Sequence, residues 1–285
     1  MGIPKRLQEV LSLVPTCHTI ADVGTDHGQL AVALIKEGKA KRVIATDVHK
    51  GPLEAAKRTV QDCGLSQYID CRLGDGLETT GLGEVDCAVI CGMGGFLMRH
   101  IIEGAPGKVP TYVLQPQNGQ VELRQYLVSH GYKIVKEVPI KEGRHWYEAW
   151  VVVQGRDTVY RERPLSSILW EVGALLVASS HPLRDDFLRW HLRKRQAIMD
   201  SLPATIRDFA DAHWMEVMRS IDKVERHVAG LSFWEPSSYG LTDTMVTIAE
   251  ASDKKDWLDE KVLAVYIKAR QEKDVLEAFY ERYTS

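Results

Sequence analysis

The apolar positions of the first half of the chain change period at regular intervals. Leu7, Val10, Leu11 and Val14 lie three and four apart, which predicts a short amphipathic helix ended near Pro15. Continuous apolar runs follow at HTIADVG (18–24), KRVIATD (41–47), YIDCRLGD (68–75), EVDCAVICG (84–92) and TYVLQP (111–116), and each reads as a buried strand. Between and after them, QLAVALIKEG (29–38), GPLEAAKRTVQDCG (51–64), FLMRHIIEG (96–104) and GQVELRQYLVSHG (119–131) carry helical spacing, with Pro52 suited to a first turn. Such regular alternation predicts a doubly wound parallel α/β sheet.

The alternation then breaks. YKIVKEVPI (132–140) and HWYEAWVVV (145–153) are both strand-like and are separated only by Lys141-Glu142-Gly143-Arg144, a connection so short that it joins antiparallel strands. A parallel Rossmann-like sheet closed by an antiparallel hairpin is the architecture of class I methyltransferases, whereas a nicotinamide-binding domain continues with another parallel unit. After Gln154 the pattern turns helical. Leu188, Leu192, Met199 and Leu202 form one stripe on a helix opened by Pro182. Ile206, Ala210, His213, Val217, Val224 and Val228 form another on a helix from about 204 to 229, stopped by Gly230. Joined near Pro203, the two predict an antiparallel coiled-coil hairpin. The expected division is 1–157 for the sheet domain, 158–230 for the helical hairpin and 231–285 for a helical C-terminal extension with Trp257, Leu258, Val262, Val265, Leu276, Phe279 and Tyr283 as its apolar positions.

Composition narrows the classes. The 285 residues are 45% hydrophobic and 26% charged, which excludes disordered, collagen-like and disulfide-scaffold chains. Thirty-six Lys and Arg against 39 Asp and Glu leave a net charge of −3, so any nucleic-acid contact has to come from a local patch. One exists on the predicted hairpin, where Arg184, Arg189, Arg193, Lys194 and Arg195 face only Asp185 and Asp186. Arg189 and Arg193, one turn apart, suit a phosphate backbone, although a solvated or oligomerising coiled-coil face carries similar charge. Cys17, Cys63, Cys71, Cys87 and Cys91 include no CxxC and no matching pair for zinc, so free thiols and no metal are expected. No run approaches the roughly 20 apolar residues of a membrane span, and the start around Lys5 and Arg6 does not read as a signal peptide. A soluble cytoplasmic protein without a membrane partner is expected; its oligomeric state is not fixed by the sequence.

The candidate chemistry lies at the strand ends. The first turn reads Asp22-Val23-Gly24-Thr25-Asp26-His27-Gly28. A dinucleotide fingerprint places glycine where Asp26 stands, and a carboxylate there repels a pyrophosphate. The loop suits instead a ligand with a cationic end, such as the ammonium and sulfonium of S-adenosylmethionine (SAM). Asp47, followed by Val48, stands where an acidic residue accepts bonds from ribose hydroxyls, and Asp75, before Gly76, is placed to meet an adenine amino group. The fourth strand ends in Gly92-Met93-Gly94-Gly95, which lets backbone approach a ligand and offers a helix N-terminus. It lacks the Asp/Asn-Pro-Pro-aromatic signature of enzymes that methylate exocyclic amines. The fifth strand ends in Gln115-Pro116-Gln117-Asn118, whose amides either read a base edge or cap a helix. His27 is either a cap or, with Asp26, a group that orients the substrate; Trp146 and Tyr147 either stack on a base or pack.

Together, DVGTDHGQL, GDGL, CGMGGFL, LQPQNGQVELRQYL and EGRHWYEAW resemble the bacterial tRNA (adenine-22-N1)-methyltransferase family, and WEVGALLVASSHPLRDDFLRW resembles its entry into a coiled-coil domain. The resemblance covers about residues 3–230. It implies a class I, SAM-dependent enzyme that methylates N1 of one adenine in the tRNA D-arm, with Asp26, His27, Gln115 and Asn118 as the catalytic candidates. The chain departs from the family in having Gln117 after Pro116, where Asn is usual, and in its longer tail. Two other classes stay open on the residues alone: a SAM-dependent enzyme for another RNA site or a small molecule, and a non-catalytic SAM- or RNA-binding protein.

Overall fold

A computed structural model describes residues 3–107, 109–161, 163, 167–225 and 260–284. The chain divides into two compact units, residues 1–162 with 173–184, and residues 163–172 with 185–285.

The first unit is built on a seven-stranded sheet. Its strands are β1 (Cys17–Val23), β2 (Ala40–Asp47), β3 (Ile69–Leu73), β4 (Cys87–Met93), β5 (Thr111–Pro116), β6 (Tyr132–Glu142) and β7 (His145–Gln154), in the order β3-β2-β1-β4-β5-β7-β6. The first five pair in parallel, and β7 pairs antiparallel with both β5 and β6, as the short connection at 141–144 predicts. β6 is an edge strand and carries Pro139, which has no N–H to give to a further neighbour. Helices α1 (Lys5–Leu13), α2 (Gln29–Lys36), α3 (Lys50–Asp62), α4 (Gly95–Glu103) and α5 (Gln120–Ser129) cover the sheet. One core joins Val10 and Leu11 of α1 and Leu30 and Leu34 of α2 to Ile20, Val43, Val89 and Val113 of the central strands and Ile140 and Ala149 of the hairpin.

Strand side chains alternate, so the neighbours of Val138 and Ala149 point to the opposite face. There lies a buried polar network that the strand patterns do not announce. Arg124 of α5 is fully buried, its Nε donating to Glu137 at 2.7 Å and its Nη2 to Glu148, while its guanidinium lies 4.1 Å from the Trp150 ring centroid. Trp150 Nε1 donates to Glu148 at 2.9 Å. The Tyr160 hydroxyl donates to Glu137 and accepts the Ala174 N–H, and Glu137 also accepts the Leu175 N–H at 2.9 Å. This network ties residues 160 and 174–175 to the sheet, so the first unit does not end at the expected boundary of 157. Residues 173–184, including α7 (Ala174–Val177), return to it after α6 (Leu169–Val172).

In the second unit, α8 (Arg184–Asp200) and α9 (Ala204–Glu225) are joined by a turn at Ser201–Pro203, and α10 (Glu260–Thr284) follows. Met199, Ile206, Ala210 and Trp214 share a core with Leu263, Tyr266 and Ile267, so the described part of the C-terminal extension packs with the hairpin rather than forming a separate body. The predicted positions Val228, Gly230, Trp257 and Leu258 lie outside the described residues. No helix among the described residues is long and apolar enough to cross a membrane.

Candidate active site

The strand order reverses direction between β1 and β4, and in open α/β sheets ligands bind in the crevice at that switch point. The loop after β1 is fastened there by backbone. The N–H groups of Gly24 and Thr25 both donate to the Thr46 carbonyl at the end of β2, each at 2.9 Å. Gly24 has φ +71°, a conformation that L side chains rarely adopt, so the turn requires glycine; a Cβ there would also displace the terminal methyl of Met93, 2.1 Å away. Asp26, at φ +50°, is the one non-glycine residue among the described residues with positive φ. Asp is among the few side chains that tolerate this region. Its N–H donates to Asp47 Oδ2 at 3.2 Å, which holds the turn while leaving the Asp26 side chain 67% exposed beside His27, 3.6 Å away. Asp47 also accepts the His49 N–H at 2.9 Å.

Asp22 is buried under this loop and accepts a bond from the Thr25 hydroxyl at 2.7 Å. Burial pushes its carboxyl up to about 6, against the opposing pull of that hydrogen bond. A carboxyl whose folded value is raised binds more protons in the native state, so stability falls as pH rises from about 4 through 6. Asp22→Asn should therefore flatten the pH dependence of urea midpoints across that window. It should gain on the order of 2–3 kcal/mol at pH 8, at the expense of the site.

At the end of β4 the backbone turns back on the β5–α5 turn. Gly95 N–H donates to the Asn118 carbonyl at 2.8 Å and Gln117 N–H to the Met93 carbonyl at 2.9 Å. A Cβ on Gly95 would meet the Gly119 carbonyl oxygen at 2.4 Å, which explains a second glycine requirement by close backbone approach.

These ends enclose a cleft of about 480 Å³. Of the residues expected to bind cofactor, Asp22, Gly24, Thr25, Asp26, Asp47, Val48, Asp75, Gly76, Gly92 and Met93 line it, as does His27. Gly28, Gly94 and Gly95 are not in its wall and build the turns behind it. Gln115 and Asn118, expected to touch the base, are not in the wall either. Gln115 is fully buried: Oε1 accepts the Gly92 N–H at 3.2 Å and the Arg6 guanidinium, and Nε2 donates to the Pro116 carbonyl at 3.1 Å. Asn118 is exposed, its carbonyl committed to Gly95 and its Oδ1 close over Gly94. Gln117, the departure from the family pattern, reaches the cleft instead. Sequence reading also missed Arg6 and Thr46 in the wall. Thr46 Oγ1 is buried with no hydrogen-bond partner, an uncommon state for a hydroxyl, and suits a polar ligand in the cleft. Glycine turns, an orphaned hydroxyl and four carboxylates fit a polar, partly cationic nucleoside such as SAM.

Residues 3–150 match the family described as a methyltransferase domain. The chain is 37% identical over 171 residues to the tRNA (adenine(22)-N(1))-methyltransferase of Bacillus subtilis, spanning 59% of this chain and 72% of that one. The chain belongs to the tRNA (adenine(22)-N(1))-methyltransferase family. Among solved structures, a Streptococcus pneumoniae chain in complex with S-adenosyl-L-methionine is 32% identical with TM-score 0.63, covering 70% of this chain and 92% of that one. The B. subtilis m1A22 tRNA methyltransferase TrmK is 27% identical with TM-score 0.62, covering 92% and 99%.

In this family member the five basic residues of α8 do not share one fate. Arg195 is buried and bonds Glu171 and, at 3.0 Å, Glu272. Arg184 is buried and donates to the Ser179 carbonyl at 3.1 Å. A phosphate cannot replace these partners without opening the structure, so both leave the candidate RNA surface. Arg189, Arg193 and Lys194 remain exposed. Arg189 lies over Tyr280, with its ring centroid 5.3 Å away, and Lys194 pairs with Glu171 at 3.2 Å.

Proposed function

We propose that this protein is a SAM-dependent tRNA methyltransferase acting on N1 of adenine 22 in the D-arm, in the cytoplasm. The observation that carries the reading is the convergence of Asp22, Asp26, Asp47 and Asp75 with the Gly24 and Gly92 turns on one cleft at the switch point of the sheet. The names of its relatives support the tRNA and the position. Bound there, SAM supplies a methyl group already activated by a sulfonium. Asp47 holds ribose hydroxyls, Asp75 the adenine amino group and Asp26 the cationic methionine end. N1 of adenine is a neutral in-plane nucleophile, so the protein's main task is alignment of that edge. N1 lies on the Watson–Crick edge, so the base has to leave its stack to enter the cleft. The adenine ring acquires a positive charge on methylation, and the exposed Asp26 carboxylate at the mouth stabilises it, with His27 beside it to orient the base.

The test is to label bulk tRNA with the purified protein and methyl-labelled SAM and to map the product by mass. The label should fall on N1 of adenine 22 and vanish in a transcript with guanine there. Label at another nucleotide, or none on tRNA, overturns the reading. Charge reversal at Arg189 and Arg193 together should weaken tRNA binding and reduce the slope of log affinity against log salt by about 1 to 2, as measured by filter binding.

A further inference from the structure

The carboxylates assigned to the cofactor divide the cleft. Asp26, Asp47 and Asp75 stand at or just after the ends of β1, β2 and β3, which are neighbours in the sheet order β3-β2-β1-β4-β5. A nucleoside held by all three fills that half, so a second substrate has to come up against the ends of β4 and β5. There the wall includes Cys91, Gly92 and Met93, the half-exposed Leu97, and Gln117, with Arg6 reaching in from α1. Arg6 brings donors alone and has Gln115 Oε1 as an acceptor. Gln115 has both ends of its amide committed, and Asn118 stands outside the wall. Gln117 is therefore the one side chain on this side of the wall, among the described residues, with both a strong donor and a strong acceptor to offer. Its backbone is pinned, the N–H donating to the Met93 carbonyl at 2.9 Å. Its side chain is exposed, forms no hydrogen bond among the described residues, and places Nε2 3.7 Å from where a Gly92 Cβ would be.

We propose that Gln117 is the residue that selects adenine, its carboxamide paired with the N6 and N7 edge of the target base; the inference rests on the adenine-N1 reading above. The reaction itself imposes the choice of edge. N1 spends its lone pair on the methyl carbon as the bond to sulfur breaks, so no protein group can occupy N1, and recognition falls to N6 and N7. Oε1 accepts from the N6 amino group and Nε2 donates to N7, the bidentate match by which a Gln or Asn reads adenine. Guanine presents O6 and N7, two acceptors, and leaves the amide oxygen facing one of them. Methylation puts a positive charge on the ring and makes the N6 amino group a stronger donor. The bond to Oε1 therefore tightens toward the transition state and acts on kcat.

A full-length tRNA assembled with 7-deazaadenine at the methylated position tests this, with kcat/KM for methyl transfer by the full chain as the readout. The analogue keeps N6 and N1 and replaces N7 by C–H, and its electron-rich ring leaves N1 no weaker a nucleophile. The wild type should use it about tenfold less well than adenine. Gln117→Ala should lose about ten- to hundredfold on adenine and should no longer distinguish the two bases. Gln117→Asn, with the same amide on a shorter stem, should keep part of the discrimination. Gln117→Met, which keeps the length without the polar atoms, carries the comparison if alanine shifts the melting curve. Calorimetric affinity for S-adenosylhomocysteine should match the wild type in every variant. A wild type indifferent to N7, or an alanine or methionine variant as sensitive to N7 as the wild type, would overturn the inference. A loss of S-adenosylhomocysteine affinity equal to the loss of turnover would also overturn it and make Gln117 part of the cofactor wall. Absence of methyl transfer to adenine N1 by the wild type on ordinary tRNA would remove the underlying reading, a result separate from these.

Discussion

Replacing Arg124 by Met should lower the unfolding free energy by about 3–5 kcal/mol, although the residue is remote from the cleft wall. Its guanidinium sits between Glu137 and Glu148 with no exposed surface, and removal leaves two buried carboxylates facing each other. Lysine should not rescue the loss, because a point charge cannot bridge both acids and lie against Trp150 as the planar fork does. Combining Arg124→Met with Glu137→Gln and Glu148→Gln should recover part of it, since neutral amides cost less to bury than unpaired charges. Urea titrations of the wild type and the three variants with one intrinsic-fluorescence readout decide the matter. A loss under 1 kcal/mol for the single substitution would mean that the network is not paired as described.

The second large effect is expected at Asp26, and it should appear in turnover instead of stability. Asp26→Ala confounds two changes, because alanine is strained at φ +50° while the carboxylate is also removed. Asparagine tolerates the left-handed region and keeps the shape, so Asp26→Asn isolates the charge. Methyl transfer to tRNA should fall by about a hundredfold or more, the usual loss when one preorganised electrostatic group is removed. The melting temperature should stay within a degree or two, since the side chain is mostly in solvent. Near-wild-type kcat in Asp26→Asn would take the carboxylate out of the chemistry and leave it as a turn residue.

The parts of this molecule that the sequence revealed are those in which one residue pattern admits one structure. Alternating apolar runs and helical stripes, broken by a four-residue connection, are compatible with little besides a parallel sheet closed by a hairpin. The Asp22–Gly28 loop was legible because an aspartate stands where a dinucleotide site needs glycine. The facing of Gln115 was not. β5 is central, apolar on both sides and buried along nearly its whole length, so no alternation marks which amide turns inward. Arg6 drew notice only as a charge beside Lys5 near the start of the chain. Arg195 looked free because Glu171 and Glu272, which neutralise it, lie 24 and 77 residues away in the chain. Arg124, Glu148 and Trp150 all lie within the motifs that carried the family resemblance, yet their work is to hold the fold together. A motif identifies the family without saying which of its residues meet the ligand.

The return of residues 173–184 to the first unit bears on how relatives can be recombined. A border between catalytic and helical halves is here a matter of two separate stretches, because the chain departs after 162, comes back at 173 and departs again after 184. Cutting at 157 strips the Tyr160 hydroxyl and the Leu175 amide from Glu137 and leaves that buried carboxylate with Arg124 as its remaining partner of this network. Chimeras that exchange helical domains between members of this family will keep a folded catalytic half only if they splice after 184 and transplant 163–172 along with the hairpin. The chain thus enters and leaves the first unit more than once, and a single crossover in evolution or in the laboratory would divide one of the units.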